Sequence, residues 1–81
     1  MQVRVRYFAA AADASGRLDE ELEFSSEATL SDLKSDLSRR YGASMDKVIR
    51  SGSFLVGGVV RRDGNFPLSQ TVDVLPPFAG G

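Results

Sequence analysis

The chain has 81 residues, room for one small domain, and carries 10 basic against 11 acidic residues for a formal net charge of -1. That near-balance argues against a nucleic-acid binder, which needs a basic excess to displace counterions, and 42% hydrophobic content excludes wholesale disorder. Without Cys or His there is no disulfide framework, thiolate nucleophile, imidazole base or zinc site of the usual kind. No apolar run approaches a membrane span, and the N-terminus opens on Arg-punctuated alternation, so a soluble cytoplasmic protein is expected.

From Gln2 to Phe8 the residues alternate, with Val3, Val5 and Tyr7 on one side and Gln2, Arg4 and Arg6 on the other, the pattern of a half-buried strand. A short alanine-rich helix over Ala9–Ala14 follows, stopped at Ser15-Gly16. A second strand, Leu18–Phe24, sets Leu18, Leu22 and Phe24 inward. Its acidic residues Asp19, Glu20, Glu21 and Glu23 are read as a wet face. Thr29 stands at an N-cap, Asp32 three residues later, and Leu30, Leu33, Leu37 and Tyr41 recur at helical spacing, a stripe expected in the core. Arg39 and Arg40 suit the C-terminal end of this helix, and Gly42 supplies a stop.

Beyond Gly42, Met45, Val48 and Ile49 are assigned to one irregular turn. Phe54–Val56 and Val59–Arg61 flank Gly57-Gly58 as a hairpin, and Val72–Leu75 is the last strand. The sum is a two-layer α+β domain over 1–75, one main helix on a small mixed sheet of about five strands.

The tail, 76–81, carries the chemistry. Pro76 and Pro77 favour extended backbone, and the six residues from Pro76 to Gly81 can span about 20 Å. Gly80 and Gly81 make the thinnest possible peptide, ending in a free carboxylate able to enter a narrow slot. A carboxylate is a poor acyl electrophile until adenylated, and the chain has no phosphate-cradling loop with its Lys. Activation must therefore come from a partner using ATP.

Arg4-Val5-Arg6-Tyr7-Phe8-Ala9, Thr29-Leu30-Ser31-Asp32-Leu33 and the closing Val72-Asp73-Val74-Leu75-Pro76-Pro77-Phe78-Ala79-Gly80-Gly81 together resemble the ubiquitin-like β-grasp sulfur carriers of the MoaD/ThiS family, most of all the molybdopterin synthase small-subunit type. The resemblance implies a β-grasp fold and a non-catalytic subunit. It implies that a ubiquitin-activating-type adenylyltransferase charges the Gly81 carboxylate with ATP and that a sulfur donor turns it into a thiocarboxylate. The sulfur then passes to cyclic pyranopterin monophosphate inside the large subunit, in a hetero-tetramer that assembles the molybdenum cofactor. Gly81 is then the reacting residue, Pro76, Pro77, Phe78, Ala79 and Gly80 form the partner-binding tail, and the chain binds no cofactor or metal of its own. A sulfur carrier for cysteine or thiamin synthesis, a protein modifier joined through Gly81 to lysines, and a plain interaction module are the alternatives. Phe78 is read as an interface anchor, Arg61 and Arg62 as a solvated strand end, and Lys34 and Lys47 as surface lysines.

Overall fold

The computed structural model describes residues 1–77. Strand β1 (Gln2–Tyr7) buries Val3, Val5 and Tyr7 and exposes Gln2, Arg4 and Arg6, as its alternation dictates. Helix α1 (Ala10–Ser15) ends at Gly16, whose left-handed backbone (φ 75°) lets its N–H donate to the Ala12 carbonyl at 2.8 Å. Strand β2 (Asp19–Glu23) returns antiparallel to β1. Helix α2 (Leu30–Tyr41) opens with a capping box in which the Thr29 N–H donates to the Asp32 carboxylate at 2.8 Å. Its Leu30, Leu33 and Leu37 are wholly buried.

Strands β3 (Ser53–Val56) and β4 (Val59–Arg61) form the expected hairpin, and Gly57 and Gly58 both take the positive φ that its tight turn needs. Strand β5 (Thr71–Leu75) then enters between β1 and β3, giving the order β2-β1-β5-β3-β4. It runs parallel to β1 and antiparallel to β3, so the sheet is mixed. The helices cover the face bearing Val3, Val5, Val72 and Val74, and full burial of each such side chain stabilises the fold by about 1.5–3 kcal/mol. The fold is the ubiquitin-like β-grasp.

Three expectations need correction. The stretch assigned to an irregular turn is a nine-residue helix, α3 (Ala43–Ser51), which buries Met45 and Val48. Gly42 stops α2 as expected, at φ 76°, and also starts this helix. Leu18, expected inside with Leu22, is 76% exposed, because it precedes β2 and lies beyond the end of the core. Glu20, expected on the wet face, points inward instead. Its carboxylate accepts from Tyr7 Oη at 2.5 Å, from the Tyr41 hydroxyl, and from Arg17 at 3.1 Å. Burial first, and this carboxylate second, push both tyrosine pKa values above their ordinary range.

Arg39 and Arg40 do sit in the last turn of α2, but both donate to the buried Asp36 one turn back. Among the described residues no helix is long and apolar enough to cross a membrane.

Candidate functional site

The sequence reading expects the chemistry at the C-terminus, and the fold determines where that end of the chain leaves the body. Strand β5, which ends at Leu75, has β1 on one side and β3 on the other, so the tail issues from the middle of the sheet. Its root is held tightly. The Phe8 N–H donates to the Val74 carbonyl at 3.1 Å. Gly52, which closes α3, lies so near that a Cβ there would be 2.1 Å from the Leu75 carbonyl oxygen. Pro76 is half-buried and Pro77 exposed. Phe78, Ala79, Gly80 and Gly81 lie outside the described residues.

Around the root, the sheet face away from the helices carries side chains of a kind that partners grip. Residues paired across a sheet point to the same side, so Arg6, Asp73, Leu55 and Val60 share this face, with Leu75 beside Ser53. Phe8, one step past Tyr7, continues it. Phe8 is 42% and Val60 48% exposed, while Leu55 and Leu75 are half-buried. At the centre Arg6 donates twice to Asp73, at 2.5 and 2.8 Å. This bidentate pair, through its hydrogen bond and then its charge, raises the Arg6 pKa further and keeps the guanidinium ionised. The face is an apolar patch around a neutralised ion pair, beside the exit of the tail. An apolar core with a satisfied polar centre is the usual composition of a protein-binding surface.

Sequence reasoning singled out the tail but passed over Phe8 and Val60. The parity of β1 contained the clue, since Phe8 falls on the side of Arg4 and Arg6 and so could not be core. Next to Phe8, Ala9 adopts φ 49°, a strained value for a residue with a side chain, and begins the tight turn closed by the Ala11 N–H to the Phe8 carbonyl at 2.9 Å. Lys34 is not a free surface lysine: its ammonium lies 5.2 Å from the Phe54 ring centroid. Arg61 likewise covers the Phe66 ring at 4.2 Å, while Arg62 is exposed. Among the described residues no cluster of three or more acidic side chains could hold a metal ion.

A β-grasp body whose last strand lies in the middle of the sheet is the fold this chain shares with solved structures of other small proteins. The chain belongs to the ThiS family, whose model matches residues 5–81. The match reaches the terminal glycine. Among solved structures, it is similar to a candidate molybdopterin converting factor subunit 1 from Pyrococcus furiosus, with 24% identity over 96% of this chain and 99% of that one and a TM-score of 0.82. It is also similar to small archaeal modifier protein 1 of Haloferax volcanii, at 15% identity, 95% and 98% coverage and a TM-score of 0.76. A complex of subunits 1 and 2 of the molybdopterin-converting factor of Helicobacter pylori contains a further relative in fold, at 19% identity, full coverage of both chains and a TM-score of 0.71. No curated protein matches.

Proposed function

We propose that this chain is the sulfur-carrier subunit of a molybdopterin synthase. The observation that carries the reading is the union of a family match running to residue 81 with the tail Pro76-Pro77-Phe78-Ala79-Gly80-Gly81. An ATP-dependent activating enzyme joins AMP to the Gly81 carboxylate and releases pyrophosphate. A sulfur donor displaces AMP and leaves a thiocarboxylate. Its soft, charged sulfur is a far better nucleophile than a carboxylate oxygen, and it attacks cyclic pyranopterin monophosphate in the large subunit. The Phe8, Leu55, Val60 and Leu75 face docks the body, while Gly80 and the proline stem give the sulfur access. The chain supplies no Cys or His, so acid–base chemistry falls to the partners.

The experiment is intact mass after incubation with the activating enzyme, ATP and a sulfur source. Replacement of one oxygen by sulfur is expected, and deletion of Gly81 must abolish it. A truncated chain that still supports cofactor assembly in cells would overturn the reading. Likeness to the archaeal modifier favours a second reading, attachment of Gly81 to lysines of other proteins. Ladders of heavier adducts in extracts without a thiocarboxylate would select it.

A further inference from the structure

A single rung of the sheet crosses all five strands on the outer face, running Asp19, Arg6, Asp73, Leu55 and Val60 in sheet order. It grades from acidic at β2 to apolar at β4, and Arg6 stands at the boundary. A guanidinium carries five N–H donors. Arg6 uses two of them, from Nε and one terminal nitrogen, on the two Asp73 oxygens. The other three meet no acceptor among the described residues. The Asp73 side chain is only 8% exposed and grips the fork at two points, whereas the Arg6 side chain is 50% exposed. Three oriented donors therefore face outward from a fixed base.

Their surroundings define what can cover them. Phe8 and Leu18, both exposed, line an open groove of about 400 Å³ beside Arg6, with Ala12 and Asp19. Toward β2, Asp19 and Glu21 share Arg4 at 3.0 and 3.1 Å, so that trio holds one surplus negative charge, while Arg6 and Asp73 cancel. A partner seated here strips water from three N–H groups, and a buried donor left unpaired costs more than its contact returns. The partner must therefore set oxygen acceptors over Arg6. A carboxylate would enter a field whose sum is negative, so the acceptors that fit are uncharged.

We infer that Arg6, positioned by Asp73, is the specificity-determining residue of the outer face. It selects a partner surface that is apolar, offers main-chain carbonyl or side-chain amide oxygens to the guanidinium, and is basic where it meets Asp19 and Glu21. This rests on the proposed function, in which the occupant is the synthase large subunit. Phe8, Leu55, Val60 and Leu75 would adhere to many apolar surfaces; Arg6 restricts them to one that answers its donors, because any other leaves a desolvated charge unpaired.

The test is titration calorimetry of the full chain against the molybdopterin synthase large subunit. Combining Arg6→Leu with Asp73→Val replaces both members of the pair by apolar side chains, which strands neither charge and should keep a parent-like melting curve. The face becomes more apolar, yet the partner's oxygens lose their donors, so affinity should fall at least tenfold. A pair with only a structural role predicts the opposite, equal or tighter binding. Arg6→Lys keeps the charge but loses the fork and should bind between the parent and the double variant. Glu21→Lys should weaken binding severalfold at low salt and much less at high salt. Equal or tighter binding by the double variant overturns the inference and leaves the proposed function standing. If the double variant melts early, Arg6→Lys decides, and parent-like affinity overturns the inference. Glu21→Lys binding as tightly as the parent at low salt overturns the basic margin assigned to the partner. A parent chain that does not bind the large subunit overturns both this inference and the proposed function.

Discussion

Replacing Gly52 by alanine tests how rigidly the root of the tail is built. The added Cβ would stand 2.1 Å from the Leu75 carbonyl oxygen and 2.7 Å from that of Val48, closer than carbon and oxygen ever pack. Both neighbours are backbone atoms, so no side chain can swing aside. Either α3 unwinds its last turn or β5 moves away from β3. Overpacking of this kind costs about 1–3 kcal/mol, and with backbone on both sides the upper end, about 3 kcal/mol, applies. For a domain this small each kcal/mol lowers Tm by about 4–8 °C, so Gly52→Ala should melt about 12–24 °C below the parent chain. Circular dichroism melts and urea midpoints measure this directly. Under the proposed function the folded fraction should also accept sulfur more slowly, because the Leu75 carbonyl marks the tail's point of departure. A variant within about 0.5 kcal/mol of the parent, the range of an ordinary surface change, would refute the reasoning.

Two further outcomes are expected. Phe8→Asp places a charge in the apolar outer face without touching the core, so Tm should hold while affinity for the proposed large-subunit partner falls about thirtyfold, the loss of one interface anchor worth about 2 kcal/mol; unchanged binding in titration calorimetry would remove this face from the interface. The second concerns alkali. Tyr7 and Tyr41 keep their protons in the folded chain above the ordinary phenol pKa of 10.0, whereas the unfolded chain releases them there. Their contribution is therefore complete below pH 10 and declines as pH climbs past it. Urea midpoints across that range should fall less steeply for Tyr41→Phe, and equal slopes would contradict the Glu20 cluster.

Much of the fold is legible in the sequence because single elements announce themselves locally. The alternation of β1, the Thr29–Asp32 cap and leucine stripe of α2, and Gly57-Gly58 each fix a piece of structure without help from the rest. Helix α3 was missed although Met45, Val48 and Ile49 have helical spacing, because the glycine that begins it equally marks the end of α2. Glu20 was misread for the opposite reason. A carboxylate is costly to turn inward until two tyrosine hydroxyls and Arg17, from other parts of the chain, meet it. The outer face could not be recognised before strand order was known, since Phe8, Leu55, Val60 and Leu75 come from four separate strands or strand ends.

The pairing of β1 with β5 joins nearly the two extremes of the chain, and its contacts form only after everything between them has been synthesised. Such distant closure is slow among small domains. For a carrier charged at its end as proposed, that closure is a built-in inspection: a misfolded copy lacks the strand frame from which the end is offered, so activating machinery that grips the body meets the end only on folded molecules.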